Sequence, residues 1–374
     1  MVNKDWKSVI LFRVKKEKTN LKIMITIPNV GWLNGACPKI QQRLVDISPI
    51  LNPNSVRTKL GFLQYLLSPT NTIGQGITFG MDYKYRSVEV VVQRRYTPAD
   101  ITVTANASAQ NCLNGGLPNE PFKQNVDIST RYSINKKYTW ADLMVMCEDS
   151  MSLLTADISR MMDALMVQID TTLITAKAAN FGLFVDGSAT KNVNLIITGP
   201  PQQFNVVDPQ RVRLEMTQAG YDGMVPVVGG NGSWQYFDAT KFACCNNLGL
   251  NLALSNPQYD YYYDQLWEGI VGSANFMSVI PGTHQLLTWH KYAEMTPGSN
   301  PAIGPIKAVG GDAGVIFDPM TGMAFDFKML PIPNCDQVEI ELSVFSDLYT
   351  IPNNVFIAPD LLNSLNGSFE WLIV

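Results

Sequence analysis

Charge is the scarcest resource of this sequence: Lys, Arg, Asp and Glu make up 16% of its 374 residues, against about 25% in an ordinary soluble protein. Hydrophobic residues reach 46%, yet no segment comes near the roughly twenty consecutive apolar residues that span a bilayer. Low charge without a membrane anchor points to neutral contact surfaces, or to an unusually large buried core. Histidine is also rare, with only His284 and His290. Neither sits in an HExxH helix, so a zinc hydrolase of that type is excluded. The six cysteines, Cys37, Cys112, Cys147, Cys244, Cys245 and Cys335, form no CxxC pair, which argues against a zinc ribbon or a disulfide framework.

Catalytic signatures are missing too. No GxSxG elbow occurs. Gly74, Gly76 and Gly80 miss the GxGxxG spacing, and Gly229-Gly230-Asn231-Gly232 lacks the Lys-Ser/Thr pair of a phosphate loop. Asp260 and Asp264 could in principle act as paired carboxylates, a pattern common by chance. The expectation is a protein that is not an enzyme and has no catalytic residues, metal or cofactor. The apolar run at 9–12 is too short for a signal-peptide core, so the chain is expected to stay in a cytoplasm.

What charge there is lies unevenly. Residues 1–22 hold Lys4, Lys7, Arg13, Lys15, Lys16, Lys18 and Lys22 against Asp5 and Glu17, a net +5 that leaves −9 for the remainder. A basic arm on an acidic body can reach a neighbouring copy. With only Trp6 and Phe12 interleaved, a protein partner is favoured over nucleic acid.

The chain is organised around residues 139–180. Apolar residues at Leu143, Cys147, Met151, Leu154, Ile158, Met162, Leu165, Ile169, Leu173 and Ala176 follow one face of an α-helix. Thr139 and Asp142 read as a capping pair, and Asn180 and Gly182 as its stop. Such a helix would be about 60 Å long. Glu148, Asp149, Asp157, Asp163, Asp170, Arg160 and Lys177, with Ser152, Thr155 and Ser159, fall on its other faces, too many charges for a membrane span. The spacing is nearer 3.6 than 3.5, which favours packing on a sheet over a coiled coil.

Before the helix, short helices are expected at 40–47 and 56–67, the second ending at Ser68-Pro69. Strands are expected at 21–27, 83–95 and 125–138, the last two as a two-stranded ribbon. Between them, the polar excursion 97–121 is too long for a simple hairpin loop, so the ribbon is expected to lean on a neighbouring copy. After the helix come a strand at 193–198, a helix from Asp208 to Gly220 with Leu214 inward, a strand at 224–228 and a helix at 233–247. This alternation suggests an α/β unit. Tyr259, Tyr261, Tyr262, Tyr263 and Trp267, with Asp260 and Asp264, make an aromatic, acidic cluster suited to an interface. Long strands return at 314–317, 323–330 and 337–349, expected beneath the long helix, and an apolar tail at 361–374 is expected to dock.

This order of parts resembles the major capsid proteins of tailed bacteriophages, the Hong Kong 97 (HK-97) type. The ribbon returning through 125–138 into the helix at Thr139 looks like that family's E-loop entering its spine helix, and 214–230 looks like the start of its A-domain. The resemblance implies an α+β fold with a long spine helix, a β-ribbon E-loop, an antiparallel P-domain sheet and an inserted α/β A-domain. In this numbering it implies an N-terminal arm at 1–80, the E-loop at 81–138, P-domain spine helix and strand at 139–199, A-domain at 200–324, P-domain strands at 325–351 and a C-terminal tail at 352–374. The implied function is that of a structural subunit which self-assembles, as hexamers and pentamers, into an icosahedral shell around double-stranded phage DNA. Scaffolding, portal or auxiliary proteins are further partners, and the DNA is touched weakly and non-specifically. No membrane partner is implied. The implied place is the virion capsid, assembled in the host bacterial cytoplasm. Candidate contacts between copies are Lys15, Lys16, Lys18, Asn111, Asn114, Tyr261, Tyr262, Tyr263 and Trp267. Some members cross-link an E-loop lysine; Lys84 and Lys123 are present, but nothing pairs them, and the reaction is not carried over. Two other readings stay open: an encapsulin-like compartment of the same fold with a protein cargo, and a carbohydrate-binding protein using the Tyr259 to Trp267 cluster.

Overall fold

A computed structural model describes Leu44 and residues 56–71, 77–82, 86–92, 122–139, 141–143, 152–179, 193–195, 212–214, 216–217, 221, 223–234, 259–272, 275–293, 301–308, 310–332, 337–350 and 368–373. A 3-10 turn (Val56–Lys59) leads into α1 (Gly61–Leu67). Then come β1 (Ile77–Asp82), β2 (Ser87–Val92), β3 (Phe122–Asp127), β4 (Arg131–Thr139), the long helix α2 (Ser152–Ala178), β5 (Val193–Leu195), β6 (Val225–Gly229) and β7 (Tyr259–Tyr263). They are followed by α3 (Trp267–Ile270), β8 (Asn275–Val279), β9 (His284–Trp289), α4 (Gly304–Ala308), β10 (Asp312–Phe317), β11 (Ala324–Ile332), β12 (Gln337–Thr350) and β13 (Ser368–Ile373). The strands form three sheets: β1-β2-β3; β10-β11-β12-β4 with β9 also on β12; and β5-β13-β8-β6-β7.

The second sheet is antiparallel throughout. Its central strand β12 alternates as a two-faced strand must. Val338, Ile340, Leu342 and Val344 are buried in the same core as α2, while Glu341 and Phe345 turn to the opposite face. On α2 the apolar stripe is where periodicity put it: Leu154, Ile158, Met162, Leu165, Ile169 and Leu173 are all buried. Each such side chain contributes about 1.5–3 kcal/mol of burial free energy. The helix therefore gains its stability from the sheet.

Several expectations need correction. The long helix is described over Ser152–Ala178, 27 residues or about 40 Å, and residues 144–151 lie outside the described residues. Thr139 is the last residue of β4, yet its hydroxyl still accepts the Asp142 amide at 3.1 Å and donates to the Asp142 carboxylate at 2.6 Å. Residues 141–143 are helical, Cys147 and Met151 lie outside the described residues, and Ala176 is exposed. Of the polar residues on the helix's other faces, Thr155, Ser159, Asp170 and Lys177 are buried.

The stretch 125–138 is two strands, not one. β3 pairs with β2, β4 pairs with β12, and the break falls at 128–130. Its cause is the Asp347 carboxylate, which accepts the amides of Ser129 at 2.6 Å and Thr130 at 3.2 Å and so removes them from any ladder. The ribbon base has a third strand, β1. It packs on its own subunit, with Val88 and Val90 against Leu287, Phe345 and Tyr349. Arg86, at φ 55°, turns the chain between β1 and β2 and lays its guanidinium 5.0 Å from the Phe345 ring. Residues 97–121 lie outside the described residues.

Residues 56–67 form a 3-10 turn and a separate α1, while of 40–47 only Leu44 is described, helical and buried. Around Leu214 the chain is helical, but Val212 and Met216 face inward and Leu214 outward. Sheet membership also crosses the ranges expected from the resemblance. β9 and β10 join the second sheet, whereas β5 and the C-terminal β13 complete the third. The apolar tail docks as a strand because Phe369 and Trp371 fill the third sheet's own core, Trp371 stacking on Phe276 at 6.1 Å.

Candidate functional site

The described residues contain no group of three or more His, Cys, Asp or Glu able to hold a metal, and no helix long and apolar enough to cross a membrane. What they do contain is a polar seam along α2. Thr155, Ser159, Asp163, Asp170 and Lys177 recur at steps of four and seven, on one line flanking the apolar stripe. Segment 56–71 runs beside it and is fastened at successive points.

At the first, Arg57 is buried and pairs with Asp163 and Asp318. Its Nη2 also donates to the Ser159 carbonyl at 2.9 Å and hydroxyl at 2.5 Å. Asp318 organises the β10–β11 turn as well, its other oxygen accepting Thr321 N–H at 2.9 Å and Oγ1 at 2.7 Å. At the second point α1 begins with Leu60, which has no side-chain oxygen to cap the helix. Two carboxylates from elsewhere do so: Asp264 Oδ2 accepts the Phe62 amide at 3.0 Å and Asp170 Oδ1 the Leu63 amide at 2.9 Å. The approach is close, since a Cβ on Gly61 would stand 2.6 Å from the Tyr263 carbonyl carbon.

At the third point, Asn71 donates to the His284 carbonyl at 2.8 Å and accepts the Gly282 amide at 2.9 Å. His284 Nε2 lies 2.6 Å from Lys177 Nζ, and its Nδ1 is 2.8 Å from Thr283 Oγ1. The Thr283 hydroxyl donates to the Ile280 carbonyl at 2.7 Å, so it accepts from Nδ1–H, and Nε2 is left to accept from Lys177. Burial pulls the Lys177 amine down to about 7. Burial and then the Lys177 charge hold His284 well below its ordinary value. The unfolded chain thus binds the lysine proton more readily than the native one between pH about 7 and about 10.4, so this pair makes stability rise with pH across that window. Lys177→Met should raise stability at neutral pH and flatten that rise. Denaturant titrations across the window check it; an unchanged slope contradicts the assignment.

Of the candidate contact residues, Lys15, Lys16, Lys18, Asn111 and Asn114 lie outside the described residues. Tyr261, Tyr262 and Tyr263 are half-buried along β7. Tyr261 donates to the Gly230 carbonyl at 2.9 Å and lies 2.8 Å from Ser233 Oγ; burial raises its pKa. Tyr262 donates to Asp260 at 2.6 Å and meets Tyr65 edge-on at 5.5 Å. Trp267 is in the core, its Nε1–H donating to the Asn275 carbonyl at 2.9 Å. The cluster is therefore no open stacking platform for a sugar. Sequence reasoning missed Trp234, which is 40% exposed and packs edge-on against Tyr263 at 6.5 Å. The inward glycine turn before Trp234 was the available signal.

No family model and no curated protein matches the sequence. Among solved structures, the chain is similar to the capsid asymmetric unit of cyanophage A-1(L), with 11% identity, a TM-score of 0.51, and 85% of this chain covering 93% of that one. Further matches, each with a TM-score of 0.42, are the capsid of an empty GTA particle (11% identity, 83% and 89% covered) and a virus-like particle from Pyrococcus furiosus (9% identity, 89% and 97% covered).

Proposed function

We propose that this chain, which folds as an HK-97-type capsid subunit, is the major capsid protein of a tailed phage and assembles with copies of itself, as hexamers and pentamers, into the icosahedral shell enclosing double-stranded DNA. The observation that supports it is the likeness, over 85% of this chain, to a chain of the cyanophage A-1(L) capsid asymmetric unit, in a protein whose long helix lies over an antiparallel sheet. The division of labour follows from stiffness. α2 and the second sheet share one core and act as the rigid plate. The ribbon rooted in β1–β3, the basic arm with Lys15, Lys16 and Lys18, and the third-sheet region with Trp234 and Tyr263 reach the neighbours. One fold then occupies several slightly different positions by adjusting its extensions and not its plate. We read 1–80 as arm with 56–71 fastened to the plate, 81–138 as ribbon with β4 in the plate, 139–199 and 325–351 as plate with β5 in the third sheet, 200–324 as the axial unit with β9 and β10 in the plate, and 352–374 as the tail, its β13 in the third sheet. Scaffolding, portal or auxiliary proteins would bind the finished surfaces, and the DNA only weakly. The assembly would take place in a host bacterial cytoplasm and end in the virion.

Removing residues 97–121 tests this directly. The excised variant should keep the native circular-dichroism spectrum and thermal transition while failing to form particles by light scattering. Closed shells from the variant would contradict the ribbon's role.

A further inference from the structure

Asp170 of α2 and Asp264, in the turn after β7, are both fully buried. Three of their four oxygens accept backbone N–H groups, from Leu63, Phe62 and Leu266. The fourth, Asp170 Oδ2, has no donor, and the two carboxyls cap adjacent amides of α1, which sets them side by side. Two ionised carboxylates are acceptors only and cannot bond to each other. One proton resolves both facts, sitting on Asp170 Oδ2 and donated to Asp264.

We propose that Asp170 keeps its proton in the native subunit, donating it to the Asp264 carboxylate, and that this proton latches the joint where α1, α2 and the third sheet meet. The joint needs it because the same two carboxyls cap α1, so their mutual repulsion would act on the helix start and on the β7–α3 turn together. Burial, then the Asp264 charge, push Asp170 well above the usual carboxylate range, in keeping with a retained proton. Among the described residues the packed elements offer no substitute charge, the Arg57 guanidinium being taken up by Asp163 and Asp318. Segment 56–67 brings half-exposed Lys59 and buried Tyr65, β7 brings Tyr261 and Tyr262, and α3 brings Glu268. On α2, Asp163 is held by Arg57, and Lys177, two turns on, is engaged with His284.

The sign follows. A carboxyl whose native pKa lies above its unfolded one stabilises fully below about pH 4, and that stabilisation is lost as pH rises through the native value. Hydrogen exchange of the Phe62 and Leu63 amides, measured between pH about 5 and about 7 and corrected for intrinsic rates, reads the latch. In the wild type the opening constant should grow by up to about tenfold per pH unit. In Asp170→Asn, whose amide donates without ionising, it should stay flat. Equal slopes in the two proteins would overturn the proposal. An independent reading on the wild type is the infrared carbonyl band of a protonated carboxylic acid at neutral pH. It should be present and should vanish in Asp170→Asn; its absence from the wild type would also overturn the latch.

Discussion

Arg57→Met should cost about 3–5 kcal/mol of folding stability, the loss expected when one partner of a buried ion pair is removed and the other is left uncompensated. Asp318 is fully buried and would keep only its bonds to Thr321. Asp163, partly exposed, could recover some solvation, so Asp318 carries most of the penalty. Methionine fills the stem volume, which separates lost charge from lost packing. Arg57→Lys keeps the charge without the planar fork that meets Asp163, Asp318 and Ser159 at once, and should fall between the two. Equilibrium denaturation of the three proteins decides. A Met variant within about 0.5 kcal/mol of wild type would mean that the pairs are worth no more than surface bridges.

Ile158→Asp should abolish folding. Ile158 is wholly buried between α2 and the second sheet, in the core that includes Met162, Leu342 and Val344. An aspartate there either stays ionised without a partner, at several kcal/mol, or takes up a proton and still leaves polar oxygens unbonded. Added to the lost apolar burial, this approaches the about 5–15 kcal/mol that holds a domain together. Ile158→Val, which removes one methyl group, should cost only about 0.5–1.5 kcal/mol. Soluble Ile158→Asp protein with a cooperative thermal transition would contradict the placement of the apolar stripe.

The apolar stripe and the strands after Gly310 were legible because their periods, near 3.6 and 2, come from local geometry that any partner must accept. The polar seam was not. In the sequence Asp170 and Lys177 are only charges off the apolar stripe, and their burial depends on partners 94 and 107 residues away, Asp264 and His284. Their spacing of seven, in line with Asp163, was the available clue. The break between β3 and β4 escaped for a similar reason, since a carboxylate at Asp347 creates it from outside the stretch. Sheet membership of β5 and β13 rests on pairing between the middle and the end of the chain, which composition does not record. The candidate contacts were chosen by residue type, and type alone could not separate Trp267, sealed in the core, from Trp234, half out of it.

Electron microscopy of the purified full chain, with its mass distribution in solution, tests the central claim most directly. A capsid subunit should give closed shells, or rings of five or six copies, with the long helix lying in the shell wall. A protein that stays monomeric at every concentration and salt condition would contradict the account.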